Sequence, residues 1–162
     1  MTVTDELLRN ARMFAERFDE VARAPVHATR VAVVACMDAR IDPHAILGLA
    51  SGDAHVIRNA GGVVTDDVIR SLVISQRLLG TSEIIIVHHT DCAMLTFCDD
   101  DLKARIAADS GIRPPFALEA FSDVDADVRQ SIARIHASPF LPHKNVRGFV
   151  YEVETGALRE VS

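Results

Sequence analysis

The sequence has no long apolar run and no cluster of basic residues. Its apolar stretches are far shorter than the roughly 20 residues that a membrane-spanning helix needs. Lys and Arg number 17 against 23 Asp and Glu, which gives a formal charge of −6 and no electrostatic support for nucleic-acid binding. Charged residues also occupy the first positions, where a secretory leader needs an apolar segment. We therefore expect a cytoplasmic protein that binds neither a membrane nor nucleic acid.

Cysteine is also scarce. Three cysteines are an odd number, which does not suit the disulfide framework of a secreted domain, and reduced thiols that are available to a metal fit better. No repeat, low-complexity tract or linker divides the 162 residues, and 49% of them are hydrophobic. This length suits one domain with a substantial core. We expect a single domain over residues 1–162, with residues 1–27 as an N-terminal helical arm.

Short β-branched apolar runs alternate along the chain with segments of helical periodicity. The runs predict strands at 30–36, 54–58 and 83–88, followed by a hairpin of 146–153 and 157–161. The periodicity predicts helices at 4–23, 42–49, 65–79, 99–108 and 123–137. Such alternation is typical of an α/β domain with a mainly parallel sheet, and the hairpin requires an antiparallel edge strand.

Two thiols and an imidazole stand at the ends of the first and third predicted strands. Cys36 ends the first strand, and His89 and Cys92 follow the third. If these strands are neighbours, the three side chains meet where the strand order reverses, which is where open parallel sheets bind ligands. Sulfur and imidazole suit zinc, and three protein ligands leave the fourth tetrahedral position free for chemistry. A cysteine at the end of a buried strand is more often a small apolar residue, so the spacing alone leaves metal binding open.

An Asp and an Arg follow the first thiol at alternate positions. If residues 36–40 are extended, Cys36, Asp38 and Arg40 share one face of the segment. A carboxylate beside a metal-bound water can accept its proton or orient it, and a guanidinium can hold that carboxylate ionised. The alternative is an ordinary exposed ion pair, which contributes little. The pair favours a catalytic metal site over a structural one.

Asn59, Gly61 and Gly62 lie in a glycine-rich turn after the second predicted strand. Their backbone N–H groups could approach an anionic product and so line the site, and a tight strand-to-helix turn explains the glycines equally well.

Four other residues have reactive side chains, but the sequence pattern around each is less specific. His44 and His55 are candidate proton shuttles, although a surface or helix-face histidine is the commoner case. His88 precedes His89 and is expected on the opposite side of the strand, and Cys98 lacks a partner motif and is expected as a free thiol.

Three segments together resemble β-class carbonic anhydrases. They are Ala35–Arg40 (ACMDAR), His55–Gly62 (HVIRNAGG) and His88–Met94 (HHTDCAM). They stand in the family's order at compatible separations, and the resemblance covers most of the chain after about residue 28. The compact length is similar to a short mycobacterial or actinobacterial type of the family.

The resemblance implies a chemistry for each matching residue. Cys36, His89 and Cys92 correspond to the ligands of one Zn²⁺ per subunit, and Asp38 and Arg40 correspond to a catalytic Asp–Arg dyad. The implied reaction is the reversible hydration of carbon dioxide to bicarbonate and a proton, through attack by a zinc-bound hydroxide that the dyad orients. In this family the Asp can instead occupy the fourth zinc position. Some bacterial members hold a non-catalytic bicarbonate with a Trp, which this sequence lacks.

The resemblance also implies an architecture and an assembly. The expected sheet has the order 2-1-3-4 with an antiparallel C-terminal edge strand and helices on both faces. The expected assembly is a homodimer or a higher homo-oligomer in which the N-terminal helix embraces the partner subunit. Two other functions stay open: a hydrolase of carbon disulfide or carbonyl sulfide, which the same hydroxide would attack, and a non-catalytic zinc-binding sensor with a closed site.

Overall fold

A computed structural model of the chain describes residues 2–18 and 29–162. The helices are α1 (Val3–Glu16), α2 (Pro43–Leu47), α3 (Asp66–Arg77), α4 (Asp99–Ser110) and α5 (Val124–Ala137). The strands are β1 (Val31–Cys36), β2 (Ala54–Asn59), β3 (Glu83–His89), β4 (Asn145–Tyr151) and β5 (Leu158–Val161). Short 3-10 turns follow β2 at Ala60–Gly62 and β3 at Ala93–Leu95.

The five strands form one sheet in the order β2-β1-β3-β4-β5. Neighbouring strands from β2 to β4 run parallel, and β5 pairs antiparallel with β4 at the edge. This confirms the predicted α/β fold, the 2-1-3-4 order and the antiparallel C-terminal edge strand. The register pairs Cys36 with Asn59 and Ala35 with Val87, so β1, β2 and β3 end side by side. The order reverses at β1, which places a crevice at the carboxyl ends of these strands.

The central strands are buried on both faces, as their unbroken apolar runs predict. Residues 32–36 of β1 are all buried. Helices α3 and α5 cover one face of the sheet, where Leu72 and Ile135 pack against β1 and β3. The other face receives Leu47 from α2. Because each fully buried Val, Leu or Ile side chain contributes about 1.5–3 kcal/mol, this core holds the strand ends firmly in place.

Helix α1 is shorter than its periodicity predicts. It begins after a capping box between Thr2 and Asp5 and ends at Glu16, not at residue 23. None of its residues is buried, and a helix gains most of its stability from a buried face, so the apolar stripe alone does not extend it. The predicted end of the arm at residue 27 lies outside the described residues. Among the described helices, none is long and apolar enough to cross a membrane.

Candidate metal centre

The three predicted ligands converge at the carboxyl end of the sheet. Cys36 is the last residue of β1, His89 is the last residue of β3, and Cys92 follows a turn of two residues. Asp91 takes a left-handed conformation in that turn, with φ of 54°, which brings the Cys92 side chain back toward His89. All three side chains are buried, and their ligand atoms lie within 4.8 Å of one another. The sheet thus brings Cys36 and His89 together, although 52 residues, 37–88, separate them in the sequence.

The imidazole of His89 is oriented for a metal. Its Nδ1 donates a hydrogen bond of 2.8 Å to the carbonyl of Thr90, and in the neutral imidazole this places the lone pair on Nε2. Nε2 is buried and has no hydrogen-bond partner in the described part of the chain. A buried polar atom without a partner is unfavourable, and metal-binding imidazoles usually donate their other nitrogen to a carbonyl or carboxylate. This orphaned atom, together with two thiols, fits Zn²⁺ by the chemistry of its donors.

The pKa values of the two thiols shift in opposite directions. A hydrogen bond from Cys92 is the main cause that lowers the pKa of Cys36, to about 4, and the backbone amides of Asp38 and Gly61 add to it. The same bond raises the pKa of Cys92. Burial opposes charge on His89, but contact with the Cys36 thiolate outweighs it and raises the pKa of the imidazole. The centre therefore favours a thiolate, the form that binds a metal.

Asp38 and Arg40 form a two-pronged ion pair beside this centre. Arg40 donates from Nε to Oδ1 of Asp38 at 3.0 Å and from Nη2 to Oδ2 at 2.8 Å. These bonds hold the pKa of the Asp38 carboxyl well below its usual range. Oδ2 of Asp38 lies 3.8 Å from Nε2 of His89, so the carboxylate borders the ligand atoms.

The backbone that carries this pair is not extended, so the predicted alternation from residue 36 to residue 40 is wrong. The amide of Arg40 donates to Oδ1 of Asp38 at 2.9 Å, and residues 39–40 form a turn. Asp side chains favour such local bonds to the amide two residues on, which compete with extended backbone. The turn brings the guanidinium back onto the carboxylate.

Two residues to which the sequence analysis gave no role also contact the centre. Asp91 accepts hydrogen bonds from Arg40, and Arg58 donates three hydrogen bonds to the backbone of Cys36 and Asp38. The only sequence signal for Arg58 is its place near the end of β2, which becomes informative once the parallel register to β1 is known. For Asp91 the signal is an acidic residue between two predicted ligands.

The glycine-rich turn packs closely against β1, and it also directs a backbone amide toward the centre. A Cβ on Gly62 would lie 2.8 Å from the backbone nitrogen of Cys36, so only glycine allows this approach to β1. The Gly61 amide faces the Cys36 sulfur and helps lower its pKa. Asn59 donates from Nδ2 to the carbonyl of Val63 at 2.9 Å, which ties the two ends of the turn together.

The structure leaves the remaining candidates outside the cluster. His55 pairs with Ala32, four residues before Cys36, which is about 13 Å away at roughly 3.3 Å per residue, and it is hydrogen-bonded to Ser75. The buried His88 donates to Asp127 at 2.7 Å, as expected for a structural residue. His44 lies exposed in the first turn of α2, and the exposed Cys98 donates to Asp101.

Comparisons with known proteins agree with this fold. The carbonic anhydrase family model matches residues 31–113. Beta-carbonic anhydrase 1 of Mycobacterium tuberculosis is 56% identical over 163 residues, covering 100% of this chain and 99% of the relative. The structure of a carbonic anhydrase from Streptococcus mutans superposes with a TM-score of 0.93 at 41% identity, covering 100% of this chain and 99% of the other. A carbon disulfide hydrolase of Acidithiobacillus thiooxidans is 36% identical over 152 residues, covering 80% of this chain and 76% of the relative.

The chain belongs to the β-carbonic anhydrase family, as its three motifs predict. Its buried Cys-His-Cys group is compatible with zinc, the metal that the resemblance implies.

Proposed function

We propose that this protein is a zinc-dependent lyase that catalyses the reversible hydration of carbon dioxide to bicarbonate and a proton. The observation that carries the proposal is the Asp38–Arg40 pair beside three ligand atoms within 4.8 Å of one another. A structural zinc site normally has four protein ligands and has no need of such a pair.

The two sulfurs and Nε2 of His89 would hold the ion. When it is bound, Zn²⁺ lowers the pKa of a coordinated water toward neutrality and so supplies the nucleophile. The fixed Nδ1 bond to Thr90 keeps the imidazole ring turned toward the two cysteines.

Asp38 is proposed to orient the nucleophile. Its carboxylate stays ionised at neutral pH because Arg40 holds its pKa down, so it is always ready to accept a hydrogen bond. Both of its oxygens accept bonds from Arg40, which holds the carboxylate in place beside the ligand atoms, with Oδ2 3.8 Å from Nε2 of His89. A carboxylate held in this pair would leave room for water beside a bound metal ion.

Carbon dioxide is favoured over sulfur analogues by the extent of the similarity. The relative named as a beta-carbonic anhydrase matches the full chain at 56% identity, whereas the named carbon disulfide hydrolase matches 80% of it at 36%. Hydrolysis of carbon disulfide is the second candidate, because the same nucleophile attacks either carbon. The sensor hypothesis is weaker, since it gives the Asp38–Arg40 pair no task.

The protein is also proposed to act in the cytoplasm as a homodimer or a higher homo-oligomer. Reduced thiols are needed at the centre, and the cytoplasm keeps them reduced. Helix α1 leaves a large apolar surface open to solvent, which marks an interaction site. Its exposed hydrophobic residues, with the neighbouring Phe18, are Val3, Leu7, Leu8, Met13, Phe14 and Phe18.

Metal analysis combined with stopped-flow assays tests the proposed reaction. We expect one zinc per chain, carbon dioxide hydration that rises with pH, and loss of both activity and zinc in Cys92→Ser. Asp38→Ala should keep its zinc and lose about 100-fold or more in kcat, as expected when a positioned carboxylate is removed. Full activity after chelation of zinc, or a turnover of carbon disulfide that exceeds that of carbon dioxide, would contradict the proposal.

A further inference from the structure

Arg58 joins the backbone of a predicted metal ligand to the backbone of the catalytic Asp. Its Nε donates to the carbonyl of Cys36 at 3.0 Å, and its Nη2 donates to the same carbonyl at 2.9 Å. Nη2 also donates to the carbonyl of Asp38 at 2.8 Å. One planar guanidinium therefore spans two peptide groups, with Met37 between them.

These contacts begin where the sheet ends. The register of β1 and β2 stops at Cys36 and Asn59, and the next amide, that of Met37, still donates to the carbonyl of Asn59 at 2.8 Å. Beyond that point the segment has left the sheet and turns at residues 39–40. Arg58 binds the chain at this point: it contacts the carbonyl of Cys36, the last residue of β1, and the carbonyl of Asp38, which lies beyond the strand.

The consequence concerns the relative placement of two functional groups. The Cys36 sulfur is directed by the peptide at the end of β1, and the Asp38 carboxylate is directed by the peptide two residues later. A rigid fork that holds both carbonyls limits rotation between these peptides. Lys would not replace it, because an ammonium is a point charge without the planar two-pronged geometry.

We propose that Arg58 is a positioning residue of the metal centre, which sets the Asp38 carboxylate relative to the Cys36 sulfur. Its part in catalysis rests on the proposed function, whereas its effect on metal geometry does not. Without Arg58 the segment keeps its ion pair with Arg40 but loses its fixed orientation to the ligands. Misplacement of a catalytic group by about 1 Å can cost about 100-fold in rate.

The test compares Arg58→Ala and Arg58→Lys with a matched control. Arg77→Ala serves as the control, because exposed Arg77 also donates to a backbone carbonyl, that of Phe140 at 2.9 Å, away from the centre. Each variant is measured for bound zinc, thermal midpoint, kcat, KM and the visible spectrum of the cobalt(II)-loaded protein, which reports ligand geometry.

We expect both alanine variants to bind one metal per chain with similar thermal midpoints. Only Arg58→Ala should lose about 10- to 100-fold in kcat with KM nearly unchanged, and only its cobalt spectrum should differ. Arg58→Lys should lie between wild type and Arg58→Ala, and added guanidinium ion should partly restore Arg58→Ala but not Asp38→Ala.

Three results would overturn the proposal: wild-type kcat and cobalt spectrum in Arg58→Ala, full activity in Arg58→Lys, or a loss of kcat that only follows loss of metal. If Arg58→Ala does not fold, the kcat and the cobalt spectrum of Arg58→Lys test the proposal instead. If the wild-type protein hydrates no carbon dioxide, the proposed function fails, and the cobalt spectra still test the positioning.

Discussion

Arg40 binds Asp91 as well as Asp38. Its Nη1 donates to Oδ2 of Asp91 at 2.7 Å, and its Nη2 donates to the backbone carbonyl of Asp91 at 3.0 Å. Asp91 lies in the turn between His89 and Cys92, so one guanidinium links the Asp38 carboxylate to the segment that carries two predicted ligands. The position of the Asp38 carboxylate thus depends on both loops of the centre.

Asp91→Ala should lower kcat only modestly. The Asp91 side chain is 76% exposed, and an exposed ion pair contributes up to about 1 kcal/mol, which corresponds to a loss of up to about five-fold. Arg40 keeps its bonds to Asp38 and to the backbone, so zinc binding should be unaffected. Stopped-flow kinetics and metal analysis measure both quantities. Asp67→Ala, which breaks an exposed pair with Arg70 on α3, is the control, and a 100-fold loss in Asp91→Ala would instead place Asp91 in the chemistry.

Arg40→Ala should shift the acid limit of activity to higher pH. Arg40 holds the pKa of Asp38 below its usual range, so without the guanidinium the pKa of that carboxyl rises toward about 3.9 and beyond if its burial dominates. A protonated Asp38 no longer accepts the hydrogen bond that we propose to orient the nucleophile. The measurement is kcat from about pH 3, about one unit below the ordinary Asp pKa, to about pH 9. An acid limit at the same pH in wild type and Arg40→Ala would contradict this role of the guanidinium.

The same substitution should change stability in a pH-dependent way. Because the folded-state pKa of Asp38 is depressed, the pair stabilises the fold above the unfolded-state pKa, and that contribution is lost as pH falls through the folded-state value. Wild type and Arg40→Ala should therefore differ in free energy of unfolding at neutral pH and converge in acid. Arg113→Ala, which breaks an exposed pair with Asp100, gives the baseline for losing a surface arginine. A difference that persists unchanged in strong acid would show that the pair does not act through Asp38 ionisation.

The sequence was sufficient to bring Cys36, His89 and Cys92 together, because parallel strands of predicted order have predictable ends. It was insufficient for residues 36–40, where a bond from the Arg40 amide to the Asp38 side chain replaces extended backbone. The sequence also does not reveal which side chains contact residues on a neighbouring strand. Arg58 contacts Cys36 from a position 22 residues away, and no local pattern encodes that contact.

Gly62→Ala should destabilise the protein more than another glycine in the same backbone region. At φ of +73° a Cβ on Gly62 would meet three backbone atoms within 3.2 Å, namely Cys36 N, Ala35 C and Val87 O. Neither strand end can move without disturbing the centre. We expect a loss of about 3 kcal/mol or more, from overpacking together with left-handed strain.

Gly48→Ala separates these two causes. Gly48 has φ of +65°, and no atom lies within 4 Å of the position that a Cβ would take there, so its substitution should cost only the left-handed strain, about 1–2 kcal/mol. Denaturant unfolding of both variants gives the comparison, with zinc content measured in parallel. Equal losses in the two variants would contradict the role given to close packing at Gly62.

Substitution of the apolar stripe of α1 should dissociate the proposed oligomer. Leu7 and Phe14 are 61% and 67% exposed, lie two helical turns apart on one face, and pack on nothing in the described chain that would bury them. A charge at either position would be buried without a partner in an interface, which is strongly unfavourable. Leu7→Asp combined with Phe14→Asp should therefore give monomers in light-scattering measurements while leaving the circular dichroism of the sheet unchanged. Ile112→Asp changes another exposed residue, 72% accessible in the loop after α4, and should keep the wild-type mass; an unchanged mass in the α1 variant would instead place the interface elsewhere.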